Sequence, residues 1–311
     1  MKFTHKVAVI GLGMGVHHLQ AAISYGAEIL AIVDTDEAVL NKIGEENNIP
    51  DDRRYTDWKK VLTLDVNEVI IATPDQLHRE MAIAFLETGK NIMCEKPLAL
   101  TREDMTAIIQ AAKKSDKKFM VGQICRFTPA FVKAKELIDS GEIGEIYYAE
   151  SEYAHDYAKI LAAGGWRADP VRNGVVGGGC HAVDLLRWYV GDPTEVFAYG
   201  SHKLLSLVNY DDATVSIMKF KSGAIGKVFI STGCKRPYTM RTQIWGTKGT
   251  ILCDNTSDSM TLWKVKENGI DLADPQIIPV KVNNHNANEE YAAFAETIEK
   301  DLPVAMDAVL G

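Results

Sequence analysis

Apolar and polar positions in the first 122 residues follow two alternating patterns. Short apolar runs, typical of buried parallel strands, lie at 7–10, 29–33, 68–72, 91–94 and 119–121. Between them, apolar residues recur at helical spacing, which predicts helices over 38–47, 76–88 and 102–114. Strands that alternate with helices predict a parallel, doubly wound sheet, so we expect an α/β, Rossmann-like domain at 1–122. The carboxyl ends of its strands share one edge, where ligands bind.

The pattern after residue 122 predicts a second domain, 123–311, of another class. A helical segment at 129–140 precedes alternating apolar and polar residues at 146–153, 195–201, 213–220, 224–231, 239–245, 250–253 and 260–266. Such alternation indicates strands with one buried face, so we expect an α+β domain with an open, mainly antiparallel sheet. The other face of that sheet needs cover, and a second copy of the chain is the expected partner, in a homodimer or homotetramer.

Composition narrows the class of protein. A chain of 311 residues matches about two domains of ordinary size. Its 34 Lys and Arg residues against 42 Asp and Glu residues give a net charge of −8, which argues against a nucleic-acid partner. The chain has no run of about 18 apolar residues and no signal-peptide pattern, so we expect no membrane association. Its five cysteines are widely spaced without a CxxC pair, which argues against disulfides and a metal site and favours a reducing cytoplasm.

A glycine-rich loop at 11–15 directly follows the first predicted strand and opens a helix. In this context, backbone N–H groups at a helix N-terminus can bind the pyrophosphate of a dinucleotide. The usual fingerprint has its third glycine at position 16, where this chain has Val16, so a tight strand-to-helix turn without a ligand is the alternative. The residues expected to contact the cofactor in this loop are Gly11, Gly13, Met14 and Gly15.

An acidic residue ends the second predicted strand, about twenty residues further on. This residue, Asp34, could accept hydrogen bonds from both ribose hydroxyls of an adenosine and would repel a 2′-phosphate. The spacing therefore favours NAD over NADP as the cofactor. Helix capping is the alternative role for an aspartate here, and it suits Asp36 better, just ahead of the helix at 38–47.

Two further strand ends carry polar side chains on the same edge. Thr73 precedes Pro74 and is therefore held extended, which presents its hydroxyl above the sheet, and the helix that follows contains His78. A helix-starting role is the alternative for Pro74. At the next strand end, Lys96 lies between Glu95 and a proline, which indicates a positioned lysine, and a surface ion pair is the alternative.

Several stretches of the chain, in order, match a known family. They are VAVIGLGMG, VDTD, IIATPDQLHREMAIAFLETGKNIMCEKPLAL, VGQICRFTPAFVKAKELIDSGEIGEI, GGWRADP, GGGCHAVDLLRW and WGTKGT. On these motifs the chain resembles the glucose-fructose oxidoreductase, inositol dehydrogenase and rhizopine catabolism family, written Gfo/Idh/MocA. The resemblance implies an N-terminal nucleotide-binding domain, a C-terminal open-sheet domain that mediates oligomers, and NAD(P)-dependent redox chemistry on a sugar or polyol.

The resemblance also implies roles for single residues. Lys96 matches the lysine that lies between nicotinamide and substrate in the family, and His181 matches a histidine suited to act as general base. Asp184, on the same helical face, could orient the His181 ring, and Arg126 matches an arginine at the domain junction whose plainer role is an interdomain salt bridge. The cofactor contacts expected beyond the glycine loop and Asp34 are Thr73, Pro74, His78, Glu95, Lys96, Gln123, Trp166 and Arg167.

One position departs from the family pattern. The family carries an aspartate four residues before the histidine, and this chain has Gly177 there. We expect more room and one negative charge fewer at this point, and hence a bulkier or acidic substrate or a bound water. The departure keeps two alternatives open beside an NAD-dependent sugar or cyclitol dehydrogenase: an NAD-retaining glycoside hydrolase or lyase, and a catalytically silent NAD-linked sugar sensor.

The proposed pair of reactive residues comes from different predicted domains. Lys96 and His181 can work together only if they converge on one substrate hydroxyl. A satisfied core histidine is the alternative for His181, and packing under a loop is the alternative for Trp166. Finally, the family commonly continues through another helix and strand where this chain ends at Gly311, so we expect that element to be cut off or lacking.

Overall fold

The computed structural model describes residues 3–169, 171–304 and 306–308. These residues form two compact units. The first contains the chain up to Gln123 and again from Ala287 onward, and the second contains Ile124–Asn286. Each unit is built around a sheet of its own.

Strands and helices alternate in the first unit. In chain order they are β1 (Lys6–Ile10), α1 (Gly15–Tyr25), β2 (Glu28–Val33), α2 (Glu37–Glu46), β3 (Arg54–Tyr55), β4 (Glu68–Ile71), α3 (His78–Glu87), β5 (Asn91–Glu95), α4 (Arg102–Lys114) and β6 (Phe119–Gly122). Neighbouring strands run parallel in the order β3-β2-β1-β4-β5-β6. This is the order of a doubly wound sheet, which confirms the predicted α/β, Rossmann-like fold.

Burial and capping explain why these elements form. The central strands β1 and β4 are buried almost throughout, as expected where helices cover both faces of a parallel sheet. Asp36 starts α2 by accepting hydrogen bonds from the N–H groups of Ala38 (2.9 Å) and Val39 (3.2 Å), which is the capping role expected for it. Thr101 caps α4 through the N–H of Asp104 (3.1 Å). By contrast, α1 begins without a side-chain cap, so no cap oxygen occupies the N–H groups of its first turn.

The second unit combines three helices with eight strands among its described residues. The elements are α5 (Pro129–Asp139), β7 (Ile146–Ala154), α6 (Ala158–Ala162), α7 (Cys180–Val190), β8 (Pro193–Ser201), β9 (Ala213–Phe220), β10 (Ile225–Ser231), β11 (Thr239–Gly246), β12 (Gly249–Asp254), β13 (Ser259–Lys264) and β14 (Gln276–Pro279). The sheet order is β14-β13-β12-β11-β7-β10-β9-β8, with β7 and β10 parallel and the other neighbours antiparallel. This confirms the predicted α+β class and the open, mainly antiparallel sheet.

The two faces of this second sheet differ. Helix α7 packs on β7 and β10 and buries Leu185 and Leu186 completely. On β9, Met218 is buried, whereas its neighbour Ile217 points to the opposite face and is 55% exposed. Phe197 of β8 lies directly opposite Ile217 in the register and is 61% exposed. Strands β8 and β9 therefore carry an apolar face that nothing within the described chain covers.

The end of the chain belongs to the first unit, so the predicted extent of the second domain, 123–311, is too long. Helix α8 (Ala287–Glu299) packs on α1, and the hydroxyl of its Tyr291 donates a hydrogen bond to Glu68 in β4 (2.8 Å). Further on, the carbonyl of Met306 accepts a hydrogen bond from the N–H of Val121 in β6 (2.8 Å). Apolar spacing can indicate a helix here, but it cannot show which sheet the helix packs on.

Two other expectations concern the ends of elements. The predicted helix over 76–88 is divided into a short 3₁₀ turn, Asp75–Leu77, and α3. The expectation that an element beyond Gly311 is cut off or lacking falls on residues outside those described.

Among the helices of the described residues, none is both long and apolar enough to span a membrane.

Candidate active site

The loop between β1 and α1 comes close to the end of β4, at the point where the strand order reverses. Gly11 has a φ of +86°, and a Cβ atom there would lie 2.5 Å from the carbonyl oxygen of Ala72, so only glycine fits. At Gly13 a Cβ atom would meet nothing within 4 Å, and the side chain of Met14 is exposed, so the space above the loop is open. An open glycine loop in front of an uncapped helix fits the pyrophosphate of a dinucleotide.

Asp34 follows β2 and is tied to this loop. Its Oδ2 accepts a hydrogen bond from the N–H of Leu12 (2.8 Å), and its Oδ1 accepts one from the N–H of Asp36 (3.0 Å). These bonds fix the carboxylate beside the glycine loop and leave it partly exposed. Its remaining lone pairs can accept ribose hydroxyls there.

His78 connects the ends of two strands rather than facing outward. Its ring is completely buried, with Nε2 3.1 Å from the carbonyl oxygen of Thr73 and Nδ1 3.0 Å from that of Pro97. The histidine therefore holds the loop after β4 against the loop after β5. Pro74 caps the short turn 75–77, which is close to its alternative, helix-starting role. The cofactor contacts expected of Thr73, Pro74 and His78 stay predictions, and the enclosed His78 can contribute only through the loops it holds.

Glu95 is held by two hydrogen bonds at the end of β5. Nε2 of His18, on α1, lies 2.8 Å from its Oε1, and the N–H of Lys96 donates to its Oε2 (3.1 Å). Burial alone would raise the pKa of Glu95, but the hydrogen bond and charge of His18, together with Lys96, lower it to about 2. Glu95 is therefore a fixed negative charge next to Lys96, and the cofactor contact expected of it stays a prediction.

Two residues near Glu95 had no predicted role. His18 is buried, and its Nδ1 lies 3.7 Å from Oε2 of Glu290 in α8. The position of His18, three residues after Gly15 in an amphipathic helix, is a signal that could have indicated a sheet-facing side chain. No sequence pattern connects Glu290 with the glycine loop, because α8 is distant in the chain.

Gln123 is the last residue of the first chain segment of the first unit, and its side-chain amide is buried. Among the described residues, its Oε1 has no hydrogen-bond partner. A buried carbonyl oxygen without a donor is costly, so such an atom suits a ligand that supplies one. The carboxamide of nicotinamide would supply an N–H donor, so Gln123 fits its predicted place among the cofactor contacts.

In the second unit, His181 lies in the first turn of α7 and is buried next to a group of tyrosines. Its ring centroid is 6.3 Å from that of Tyr153, whose hydroxyl is hydrogen bonded to Tyr157 (2.8 Å). A Cβ atom at Gly178 would lie only 2.3 Å from the Tyr157 hydroxyl, so the glycine lets the helix start against these side chains. Burial, with a further contribution from Tyr157, raises the pKa of Tyr153 far above its usual range. The surroundings of His181 therefore include one hydroxyl group, that of Tyr153, that stays neutral.

The room expected at Gly177 is not there. The carbonyl oxygen of Gly177 accepts a hydrogen bond from Nη2 of Arg172 (3.0 Å), and a Cβ atom on Gly177 would lie 2.4 Å from Nη1 of the same residue. The buried guanidinium of Arg172 thus fills the space that the missing side chain would take. The expectation of a larger open volume at this position is wrong for that reason.

Asp184 forms a bidentate ion pair with Arg126. The Arg126 Nε and Nη2 atoms donate to its two oxygens at 2.8 and 2.6 Å, and both side chains are nearly buried. This salt bridge lies inside the second unit, and the interdomain salt bridge expected of Arg126 stays a prediction. Because both carboxylate oxygens of Asp184 serve Arg126, its expected role in orienting His181 stays a prediction.

Trp166 and Arg167 lie in a short 3₁₀ turn of the second unit. The Arg167 guanidinium carbon is 4.2 Å from the Trp166 ring centroid, and that of Arg172 is 5.1 Å from it. Cation–π contacts of this kind order the tryptophan within its loop. Their proposed contact with the cofactor stays a prediction.

The glycine loop at the switch point and the carboxylate of Asp34 define a dinucleotide-binding protein of the Rossmann class. The oxidoreductase family with an NAD-binding Rossmann fold matches residues 5–123, and the Gfo/Idh/MocA C-terminal domain matches residues 131–252. The chain belongs to the Gfo/Idh/MocA oxidoreductase family. The resemblance seen in the sequence and the expected nicotinamide cofactor are thereby confirmed.

Individual proteins of known activity are also similar to this chain. The scyllo-inositol 2-dehydrogenase (NAD(+)) of Bacillus subtilis (strain 168) is 30% identical over 263 residues, 81% of this chain and 74% of that protein. Inositol 2-dehydrogenase 2 of Saccharopolyspora erythraea is 28% identical over 258 residues, 80% of this chain and 73% of that protein. A solved structure of levoglucosan dehydrogenase in complex with NADH gives a TM-score of 0.89 at 24% identity, covering 99% of this chain and 93% of that one, and supports the fold alone.

The Arg126–Asp184 pair yields a stability prediction. Asp184→Asn would leave a buried guanidinium without its counter-charge, so we expect unfolding of the second unit to become easier by about 3–5 kcal/mol. Asp192→Asn is the matched control, because Asp192 pairs with Arg187 at the exposed end of the same helix and should change little. Urea unfolding followed by tryptophan fluorescence measures both. Equal midpoints for the two variants would contradict the prediction.

Proposed function

We propose that the protein is an NAD-dependent dehydrogenase that oxidises a ring hydroxyl of a cyclitol or sugar to a ketone, or catalyses the reverse reduction. The observation that carries the proposal is the edge of the first sheet, where the glycine loop, Asp34 and Lys96 all follow strand ends. Relatives named inositol dehydrogenases, at 28% and 30% identity, support the substrate class. The hydrolase, lyase and sensor alternatives have no observation in their favour.

Each proposed role follows from the chemistry of the side chain. NAD, when bound, supplies the hydride acceptor. Asp34 accepts hydrogen bonds from the adenosine ribose, and the N–H groups at the start of α1 bind the pyrophosphate. Lys96 donates a hydrogen bond to the substrate hydroxyl oxygen, and the His181 imidazole takes the hydroxyl proton while the carbon loses its hydride. Further cofactor contacts in this proposal are Gln123, Trp166 and Arg167.

The surroundings of His181 support a neutral substrate with many hydroxyls. Tyr153 lies beside the His181 ring and shares a hydrogen bond with Tyr157. A phenol hydroxyl can both donate a hydrogen bond to a polyol and accept one from it without requiring a charge on the polyol. We therefore place cyclitols and sugars ahead of acidic substrates.

The cofactor preference can be tested at Asp34. Asp34→Ala removes a charge-assisted hydrogen bond to the ribose, so NAD should bind about ten- to a hundredfold more weakly, or about 1.5–3 kcal/mol. Calorimetric titration of NAD and NADP into the wild type and the variant measures the change.

Asp36→Ala is the matched control, since it removes a nearby aspartate that only caps α2. It should lower helix stability by about 1 kcal/mol and leave NAD affinity unchanged. Tighter binding of NADP than of NAD by the wild type would contradict the assignment.

The roles of Lys96 and His181 predict a loss of turnover. Lys96→Ala and His181→Ala should each lower kcat by about a hundred- to ten-thousandfold, because each removes a group that acts on the reacting hydroxyl. NAD affinity of His181→Ala should stay within a few fold of the wild type. NADH formation with myo-inositol, scyllo-inositol and levoglucosan measures the effect. His202→Ala is the control, since His202 follows β8 and its Nε2 lies 2.7 Å from the carbonyl oxygen of Leu205.

Two outcomes would count against this reaction. Undiminished turnover in His181→Ala would remove that residue from the chemistry. Conversion of a glycoside by the wild type without net NADH formation would favour a hydrolase or lyase in place of the dehydrogenase. The double variant Lys96→Ala/His181→Ala adds a further test. If its loss in kcat is smaller than the two single losses combined, both groups serve the same step.

We also propose that a second copy of the chain covers the exposed face of the second sheet. Phe197 and Ile217 lie opposite each other in the register, and Tyr199 pairs with Val215 in the same way along the same two strands. Two neighbouring pairs of exposed apolar residues form a continuous patch, which a soluble monomer rarely leaves in water.

A charge in this patch tests the proposed oligomer. Ile217→Glu should shift the protein toward the monomer, because a carboxylate would be buried without a partner in the interface. Ile270→Glu is the control, since Ile270 is 84% exposed but lies in the turn between β13 and β14, outside the strands of the sheet. Sedimentation velocity at micromolar concentration measures the mass. A monomeric wild type would contradict the proposal.

A further inference from the structure

A buried group of three ionisable side chains lies behind Lys96 and has no part in the proposed reaction. Glu95 comes from the end of β5, His18 from α1 and Glu290 from α8. His18 bridges the two carboxyl groups, with Nε2 2.8 Å from Glu95 and Nδ1 3.7 Å from Glu290. We call these three residues the His18 cluster.

The carboxyl group of Glu290 is in an unusual environment. Its residue is 0% exposed, and among the described residues neither of its oxygens has a hydrogen-bond partner. The backbone of Gly122, at the end of β6, lies against it, since a Cβ atom there would be 3.7 Å from Oε1. A carboxyl group buried in this way is costly, and an apolar side chain of the same size would fill the space more favourably.

The charges around Glu290 decide its protonation. Burial is the main cause that raises its pKa, to about 8, and the negative charge of Glu95 adds to this, whereas His18 and Lys96 oppose it. The charged groups that face it are thus His18 from α1 and Glu95 and Lys96 from the end of β5. Near neutral pH Glu290 keeps its proton, and it becomes negative as the solution turns alkaline.

We propose that Glu290 is a positioning residue for Lys96, which sets the charge beside the lysine through the His18 cluster. The proposal rests on the proposed function for the meaning of Lys96 in catalysis. The two groups affect each other's protonation. The positive charge of Lys96 favours loss of the Glu290 proton, so ionised Glu290 favours the protonated form of Lys96 to the same extent. The cluster therefore holds the lysine positive in alkaline solution.

The first test measures the protonation of Glu290 without turnover. A carboxyl group whose pKa is raised on folding stabilises the protein fully below its ordinary pKa of 4.5 and loses this contribution as the pH rises to about 8. Glu290→Gln has no such proton, so from pH 5 to 8 its unfolding equilibrium constant should fall relative to the wild type, by up to about tenfold per pH unit. Glu289→Gln, an exposed neighbour on α8, should follow the wild type.

The second test measures Lys96 itself. Acylation of the apoprotein with N-hydroxysuccinimidyl acetate, quantified by mass spectrometry from pH 7 to 10, reports the unprotonated fraction of each lysine, and exposed Lys42 serves as internal reference. Above pH 8 we expect Lys96 to react about two- to fivefold faster in Glu290→Gln than in the wild type or Glu289→Gln. Under saturating NAD and myo-inositol, the alkaline limb of kcat should move to lower pH in Glu290→Gln only.

The outcomes separate this proposal from the proposed function. Identical Lys96 acylation in the wild type and Glu290→Gln would overturn the positioning role, whatever the turnover. A shifted acylation rate in a protein that oxidises no polyol would keep the His18 cluster and overturn the dehydrogenase. If Glu290→Gln does not fold, Glu290→Met removes the same carboxyl group with an apolar side chain of similar length and is measured instead.

Discussion

The carboxylate of Glu95 fixes the reactive end of the first sheet. A buried negative charge at a strand end must be compensated, and here the imidazole of His18 and the N–H of Lys96 do so. Because His18 belongs to the helix that starts at the glycine loop, one ion pair ties the loop that would bind pyrophosphate to the lysine next to Glu95. His78 adds a second connection, between the loops after β4 and β5. The positions of cofactor loop and lysine are therefore not independent.

The last helix joins the first unit through polar groups as well as apolar ones. At one end of α8, Glu290 faces His18, and the next residue, Tyr291, donates its hydroxyl to Glu68. Glu68 is buried and also pairs with His5, at 2.5 Å. Apolar surfaces tolerate small shifts, but a buried hydrogen bond such as that of Tyr291 to Glu68 does not, since breaking it leaves a buried polar group without a partner. These contacts explain why the chain returns to its first unit and why α8 has one defined register there.

Much of this structure follows from local pattern. Most predicted strands and helices lie where the structure has them, because each buries the face that its own period defines, although the helix over 76–88 is divided and β3, α6, β14 and α8 were not predicted. Asp36 as a cap and Asp34 beside the glycine loop could be predicted because each role depends on the spacing of residues that are close in the sequence. By contrast, the approach of Glu290 to the glycine-loop helix is a contact between distant segments. Arg172 fills the space at Gly177 because an irregular loop folds back on itself. The spacing of apolar residues does not describe such a loop.

The two residues that we propose to act on the substrate have opposite electrostatic surroundings. Lys96 lies next to a carboxylate whose pKa is about 2, so a fixed negative charge favours its positive form. His181 lies beside the phenol of Tyr153, which burial keeps neutral. A group that must stabilise developing negative charge on oxygen needs a constant charge, whereas a base that gains and loses a proton needs surroundings that do not trap either state. In the proposed reaction, Lys96 of the first unit would supply the constant charge and His181 of the second unit the group that gains and loses the proton.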